Sequence, residues 1–419
     1  MKAKYTNYKP VLKGEEGLAD VGIVMPVYIQ NPEFLRQALD SVLKQTFTGF
    51  RLVIVIDGAP QMEPLVRSIT GSDPRITIIS YPGNQGVAHA LNTGFKLFYE
   101  NPDIRYLTWV SSDNIYEPYF LEVLRTALVK GPSNLGIVYS SFQSINNDGN
   151  LLNDEHQLAA LRQYQGRTKD KLLDSSIIGV SFMYKADIAR IVGDYRMQPV
   201  EDYDYWLRLE EHCDIRFLPV ELMNYRVNSS FSVSAQLQTT ENHRKWRYAY
   251  QLTRLEARSR RGIHPALSIL YPVEAADASH IVAIENIYEQ TFSNYVFRVL
   301  DLSHDCQPTA KLSEIHHPTT EFIWMPGTSV QNAVYRMLVS ITTPYTLLFG
   351  PKLFISYMDI QYLMENLLKN NDTVISSYYT DDHSQIGYRH KGMPSVKQTL
   401  TNELFKTSEL LELFSQSMV

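Results

Sequence analysis

The chain has 419 residues, of which 44% are hydrophobic and 20% are charged, and this composition is typical of a globular protein with two or three domains. The formal net charge of −6 gives no support for nucleic acid as the main partner. Because Cys213 and Cys306 are the only cysteines, a disulfide framework and a cysteine zinc site are excluded, as is typical of a reducing compartment. We find no apolar signal core at the N-terminus and no apolar run of the roughly 20 residues that a membrane helix needs, so we expect a cytoplasmic protein.

Short apolar strands alternate with helices in the first part of the chain. The sequence predicts strands in VGIVMPVY (21–28), FRLVIVIDG (50–58), RITIIS (75–80) and YLTWV (106–110). Helices are predicted after Asn31-Pro32 and after Gly86. This alternation predicts an α/β fold with a doubly wound, mostly parallel sheet.

Polar residues follow three of these strands, namely Tyr28, Asp57 and Asp113. Ligands of such sheets bind beyond the carboxyl ends of the strands, so three polar residues on separate strand ends favour a binding site. For Asp113, in the segment SSDN, an ordinary turn or capping role is the alternative. No G-x-G-x-x-G follows the first strand, which argues against a dinucleotide oxidoreductase.

A second group of acids lies in VEDYDYWLRL (200–209). Glu201, Asp202 and Asp204 begin a predicted helix, and the alternative to a functional role is that they stabilise its first turn. We expect Asp204 to pair with Arg208, four residues later, and Trp206 to pack in the core rather than stack on a sugar.

A strongly basic helix is predicted for ENHRKWRYAYQLTRLEARSRR (241–261). The simplest interpretation is a solvated linker helix. Contact with anionic lipid headgroups or with an anionic acceptor is the alternative. Peripheral membrane contact or self-association through this helix and the C-terminal residues therefore stays open.

A weak internal repeat begins after residue 264. SILYPV (268–273) resembles GIVMPV (22–27), and both parts contain QTF, at 45–47 and 290–292. The acids are not repeated: Lys352 lies opposite Asp113, Glu274 lies opposite Tyr28, and Glu201 and Asp202 have no counterpart. We predict that the second copy keeps the core pattern without the carboxylates.

Seven segments between residues 20 and 235 together resemble the family 2 glycosyltransferases: IVMPVY, SVLKQTF, VIVIDG, NQGVAHALN, WVSSDN, VEDYDYWLRL and YRVNSS. The resemblance implies a Rossmann-like GT-A domain of the nucleotide-diphospho-sugar transferases at 20–240. An N-terminal extension (1–19) would precede it, and a basic linker helix (241–264) and a smaller α/β domain resembling a degenerate GT-A copy (265–419) would follow. The implied activity is inverting transfer of a sugar, from a UDP-sugar as the first expectation, to a glycan or lipid-linked acceptor in cell-envelope polysaccharide biosynthesis.

The resemblance also assigns site residues. Asp202 would be the general base, oriented by Glu201, and Asp113 would bind Mn²⁺ or Mg²⁺ together with the diphosphate. The residues expected to contact the nucleotide sugar are Pro26, Tyr28, Asp57, Ser111 and Ser112, to which we add Asn84, Gly86, Asn92 and, for its phosphate-matching guanidinium, Arg226.

The sequence departs from the family pattern at the metal motif. Ser111 replaces the first acid of the D-x-D motif, Asn114 replaces an Asp that often follows it, and Asn228 stands where a His often binds the metal. These changes keep a non-catalytic nucleotide- or glycan-binding scaffold of a polysaccharide assembly as the alternative function. A nucleotidyltransferase is a further alternative, but its glycine- and basic-rich phosphate loop is missing near the first strand.

Overall fold

The computed structural model describes residues 19–227, 237, 239–370, 373–393, 397 and 399–417. The chain divides into two compact units, Met1–Gln238 and Thr239–Val419. Each unit is built on its own mixed β-sheet, which confirms the predicted α/β class.

Within its described residues, 19–227 and 237, the first unit contains eight strands and seven α-helices. The strands are β1 (Val21–Val27), β2 (Phe50–Asp57), β3 (Ile76–Tyr81), β4 (Tyr106–Trp109), β5 (Ile115–Tyr116), β6 (Leu135–Ile145), β7 (Phe182–Lys185) and β8 (Asp214–Arg226). The helices are α1 (Pro32–Leu43), α2 (Glu63–Thr70), α3 (Val87–Tyr99), α4 (Phe120–Val129), α5 (Glu155–Gln165), α6 (Ala186–Val192) and α7 (Glu201–Leu209), with 3₁₀ turns at Pro60–Met62 and Lys169–Leu173.

The strand order of the first sheet is β3-β2-β1-β4-β7-β6-β8-β5. Strands β1 to β4 are mutually parallel, whereas β7 runs antiparallel to β4 and β6. The carboxyl ends of β1, β2 and β4 therefore meet at one edge of the sheet. Tyr28, Asp57 and the segment 111–114 follow these three strands at that edge.

Local sequence explains the first strand-helix-strand unit. Strands β1 and β2 are almost wholly buried, as expected for parallel strands covered on both faces. Helix α1 begins after Asn31, whose side chain accepts hydrogen bonds from the backbone N–H groups of Glu33 and Phe34. Gly58 ends β2 with a φ of 71°, and a Cβ there would lie 2.1 Å from the backbone nitrogen of Asn84. Only glycine allows this close approach.

The second unit contains seven strands and six α-helices, apart from residues left undescribed. The strands are β9 (Leu267–Val273), β10 (Tyr295–Asp301), β11 (Thr320–Trp324), β12 (Tyr345–Leu348), β13 (Val374–Tyr379), β14 (Ile386–His390) and β15 (Glu403–Lys406). The helices are α8 (Thr240–Arg260), α9 (Ala278–Tyr288), α10 (Gln307–Leu312), α11 (Val330–Ser340), α12 (Asp359–Lys369) and α13 (Thr407–Ser417).

The second sheet repeats the plan of the first. Its order, β11-β10-β9-β12-β15-β13-β14, matches β3-β2-β1-β4-β7-β6-β8 strand for strand. Even the register recurs, because Tyr106 pairs with Lys185 in the first sheet and Tyr345 pairs with Lys406 in the second. One difference is that β8 is parallel to β6, whereas β14 is antiparallel to β13. Across the described residues from 239 to 417, no helix corresponds to α7.

The basic helix α8 packs within the second unit. Arg244 pairs with Glu285 at 2.6 Å, and Arg247, which is 3% exposed, pairs with Glu285 and Glu289. Arg258 donates to the hydroxyl of Ser293 at 2.9 Å. The solvated linker expected for this segment is therefore wrong for Arg247 and Arg258, which are buried. Glu285 on α9 and Glu289, the residue directly after α9, neutralise Arg247. Among the helices described, none is long and apolar enough to cross a membrane.

Candidate functional site

Asp57 joins the end of β2 to the loop before α3. The carboxylate is 3% exposed, with Oδ1 accepting from the backbone N–H of Gln85 at 2.7 Å and Oδ2 accepting from that of Gly86 at 2.9 Å. Gly86 has a φ of 92°, which glycine adopts readily. Tyr28, 45% exposed, lies at the same edge of the sheet, and Asn84 is also exposed. Pro26, half-buried, lies within β1.

The segment after β4 is a turn rich in oxygen atoms. The Ser111 hydroxyl donates to Oδ1 of Asp113 at 2.7 Å, and the Ser111 N–H donates to the phenol oxygen of Tyr116 at 2.7 Å. Ser112 accepts a long hydrogen bond of 3.4 Å from the amide of Gln30. Asp113 is 7% exposed. The turn therefore holds its carboxylate in a fixed position.

The chemistry of this turn fits a hard divalent cation. A carboxylate beside two hydroxyls offers the oxygen ligands that Mn²⁺ and Mg²⁺ prefer. Within the described ranges there is no group of three or more His, Cys, Asp or Glu side chains that could hold a metal. A cation held by Asp113 would thus take most of its ligands from a bound diphosphate. Asn228, the other position that bears on the metal motif, lies outside the described residues.

Asp202, in the first turn of α7, contacts the strand that leads to Asp113. The indole Nε1 of Trp109, the last residue of β4, donates to Oδ1 of Asp202 at 3.2 Å. Asp113 follows Trp109 by four residues. The tertiary structure therefore brings both predicted acids to the same strand end.

Burial and mutual repulsion perturb the acid pair at the start of α7. Burial, followed by the negative charge of Glu201, raises the pKa of Asp202 well above its ordinary value, and the hydrogen bond from Trp109 opposes this shift. Burial also raises the pKa of Glu201, which is 8% exposed and whose Oε2 has no hydrogen-bond partner among the described residues. Carboxyl groups perturbed in this way are typical of acid–base sites.

The third acid of the cluster has a structural role. Asp204 is 1% exposed and accepts from Arg208 at 2.8 Å and from Arg196 at 3.1 Å. This confirms the predicted pair four residues apart. Trp206 is fully buried with its ring centroid 4.4 Å from that of Phe182, so its predicted packing role is also confirmed.

Arg226 is engaged within the protein, which argues against a direct contact with diphosphate, and that contact stays a prediction. The side chain is 1% exposed, and Nε donates to the backbone oxygen of Asp113 at 3.0 Å. Its two terminal nitrogens donate to the backbone oxygens of Asn146 and Asn147 and to Oε1 of Gln37. With every nitrogen engaged, the guanidinium holds the turn at Asp113 in place.

Asn92 is likewise a structural residue. Its amide nitrogen donates to the Tyr195 carbonyl at 2.9 Å, and its Oδ1 accepts from the Tyr195 N–H at 2.7 Å. Both ends of the amide therefore hold the loop before α7, and the lining of the nucleotide pocket by Asn92 stays a prediction.

Sequence reasoning missed two residues, Trp109 and Gln198. When the Gln198 amide is oriented with its oxygen toward α3, that oxygen accepts hydrogen bonds from two backbone N–H groups at the start of the helix. These belong to Val87, at 2.7 Å, and Ala88, at 3.2 Å. A Cβ at Gly86 would lie 2.5 Å from this amide, so a larger residue there would displace the Gln198 side chain in addition to the strain from the φ of 92°. For Trp109, the available signal was an indole donor directly before a polar strand end.

Residues 22–192 match the family described as Glycosyl transferase family 2, which confirms the resemblance drawn from the seven segments. The chain is 26% identical over 232 residues to an uncharacterized glycosyltransferase of Rickettsia prowazekii, covering 53% of this chain and 69% of that protein. It is 22% identical over 223 residues to an uncharacterized glycosyltransferase of Methanocaldococcus jannaschii, covering 51% and 73%.

Solved structures with a similar course of the chain include S. aureus TarS in complex with UDP-GlcNAc, at 12% identity and a TM-score of 0.43, covering 56% of this chain and 66% of that one. They also include the mannosyltransferase PcManGT from Pyrobaculum calidifontis in complex with GDP-Man and Mn²⁺, at 14% identity and a TM-score of 0.41, covering 59% and 65%.

Proposed function

This chain carries a glycosyltransferase domain of family 2, and from this premise we propose that it is an inverting enzyme that uses a nucleotide-diphosphate sugar. A UDP-sugar is the first candidate donor, and a glycan or lipid-linked acceptor of cell-envelope polysaccharide synthesis is the proposed acceptor. The observation that carries the proposal is the contact between Trp109 and Asp202, since it brings a half-buried carboxyl to the strand end of Asp113. We place the enzyme in the cytoplasm, with any membrane contact peripheral.

The donor is proposed to bind at the edge of the first sheet where the carboxyl ends of β1, β2 and β4 meet. The residues proposed to contact it are Pro26, Tyr28, Asp57, Asn84, Gly86, Ser111 and Ser112. Asp113 would hold Mn²⁺ or Mg²⁺, which when bound offsets the charge that gathers on the leaving diphosphate. Arg226 supports this arrangement indirectly, because it holds the backbone of Asp113.

Asp202 is proposed to take the proton of the acceptor hydroxyl. A hydroxyl is a poor nucleophile, and a carboxylate within hydrogen-bond reach activates it as the new bond forms. The raised pKa of Asp202 makes its carboxylate a stronger base than an ordinary aspartate. Burial, and after it the charge of Glu201, keeps that pKa high. With base and leaving group on opposite faces of the sugar, a single displacement inverts the anomeric carbon.

The second candidate function is a non-catalytic nucleotide- or glycan-binding scaffold. The observation that favours it is the reduced metal motif, in which Ser111 and Asn114 flank a single carboxylate, Asp113. Both functions require a bound nucleotide or glycan, so a test of turnover separates them.

The test is release of nucleoside diphosphate from a panel of UDP- and GDP-sugars with Mn²⁺, where water can replace an unknown acceptor. We expect Asp202→Asn to bind the nucleotide as the wild type does and to release it at least about 100-fold more slowly. Asp187→Asn, a change at an exposed acid in the first turn of α6, is the matched control and should retain turnover. Turnover retained in Asp202→Asn removes this residue from its role, and nucleotide binding without any turnover favours the scaffold.

A further inference from the structure

We propose that Trp109 is a positioning residue for Asp202, whose indole N–H occupies Oδ1 and thereby reserves Oδ2 for the proton of the acceptor. This inference rests on the proposed role of Asp202 as general base. Its direct support is the 3.2 Å hydrogen bond between an indole on β4 and a carboxyl on α7.

Packing fixes the place from which this N–H is donated. The ring of Trp109 packs edge-on against Phe182, with centroids 5.9 Å apart, and Phe182 packs against Trp206 at 4.4 Å. Trp206 lies on α7, one turn after Asp202. Helix α7, which carries Asp202, therefore also holds the Trp109 ring in place through Trp206 and Phe182. A rotation of the Trp109 ring would disturb this packing.

The local charges explain why the base needs such a donor. Glu201, on the same helix, opposes a negative charge on Asp202, and burial opposes it more strongly. Tyr195, on the loop before α7, also faces Asp202, and burial raises the pKa of its phenol well above its ordinary value. The phenol is therefore neutral near pH 7 and adds no charge. An N–H directed at Oδ1 stabilises the charged carboxylate that accepts a proton.

The reaction step is balanced by these groups alone. The acceptor O–H bond breaks as its oxygen bonds to the anomeric carbon, and its proton goes to Oδ2 of Asp202. The bond between the anomeric carbon and the diphosphate oxygen breaks, and its electron pair leaves with the nucleoside diphosphate. Trp109 keeps its proton throughout, so it positions the base without taking part in the transfer.

Trp109→Phe tests this inference, because it keeps an aromatic ring and removes the N–H. We expect the ascending limb of the profile of turnover against pH to shift to higher pH by about one unit, with UDP binding unchanged. At pH values below the limb, turnover of Trp109→Phe should be about tenfold lower than that of the wild type. At higher pH it should approach the wild-type rate. Trp324→Phe is the matched control, since it removes an indole N–H that donates to the Ser303 carbonyl in the second unit. Its limb should stay in place.

A second measurement does not depend on turnover. When the pKa of a carboxyl is higher in the folded state than in the unfolded state, the protein loses stability as the pH rises. The loss runs from the unfolded pKa, near 4, to the folded value. We expect unfolding midpoints to show this loss in the wild type and a larger loss in Trp109→Phe. Asp202→Asn and the double variant should both show only the smaller loss that the raised pKa of Glu201 contributes. A folded Trp109→Phe protein with an unmoved limb and an unchanged stability profile overturns the inference. If Asp202→Asn retains turnover, Asp202 is not the base of the proposed function, and the stability profile alone still decides whether Trp109 controls the protonation of Asp202.

Discussion

Oδ2 of Asp57 accepts a hydrogen bond from the backbone N–H of Gly86 at 2.9 Å, while Oδ1 accepts one from Gln85 at 2.7 Å. One buried carboxylate therefore holds the loop that begins α3 against the end of β2. The same side chain is proposed to contact the nucleotide, so its stabilising role and its binding role must be separated by experiment.

Asp57→Ala should lower the free energy of unfolding by about 1–3 kcal/mol, because two backbone N–H groups lose their acceptor. Asp57→Asn keeps one oxygen acceptor and should lose less. Urea denaturation measures both changes. Asp40→Ala, which removes an exposed pair with Lys44, is the control and should change stability by less than about 0.5 kcal/mol. Equal losses in Asp57→Ala and Asp40→Ala would contradict the structural role.

Asp113→Ala should abolish the part of thermal stabilisation by UDP that depends on Mn²⁺. A ligand that binds the folded state raises the melting temperature, and a cation shared by Asp113 and the diphosphate adds to that rise. Thermal shifts with UDP alone, with Mn²⁺ alone and with both measure this increment. Ser111→Ala removes only the hydroxyl that donates to Asp113 and should reduce the increment partly. A full increment in Asp113→Ala would show that the cation binds elsewhere.

Arg226→Lys should destabilise the protein without a specific loss of UDP affinity. A lysine cannot reproduce the hydrogen bonds to the Asp113 backbone, Asn146 and Gln37, so a loss of about 2–3 kcal/mol is expected. Arg36→Ala, at an exposed position on α1, is the control with little expected change. Normal stability combined with weak UDP binding in Arg226→Lys would restore the direct diphosphate contact that the structure argues against.

UDP should bind the full chain at a single site. In the second unit, Asp301 accepts from the N–H and hydroxyl groups of Ser303 and Thr309. Burial alone would raise the pKa of Asp301, but these bonds hold it below its ordinary value. Calorimetry should give one equivalent of UDP, and Asp301→Asn should lower stability without changing UDP affinity. Two equivalents would overturn the prediction that the second copy does not bind nucleotide.

Prediction from sequence succeeded where the signal is local. The alternation of apolar strands and helices gave the sheet class, and the recurrence of QTF pointed to a repeat that the two strand orders now display. The pairing of Asp204 with Arg208 also follows from helical spacing. The hydrogen bonds of Arg226 could not be predicted in the same way, because its acceptors lie on α1 and in the loop after β6, far along the chain. A guanidinium has the same appearance in a sequence whether it binds phosphate or a carbonyl oxygen.

The sequence by itself determined the fold class, the repeat and which carboxylates follow strand ends, because these depend on hydrophobic periodicity and on the direction of neighbouring strands. Only the tertiary structure decided which polar groups meet: Trp109 reaches Asp202 across 93 positions of the chain. It also decided that Glu201 is buried beside the half-buried Asp202 and that Asn92 holds a loop. Desolvation and hydrogen bonding act between groups that are close in space, and spacing along the sequence does not encode that proximity.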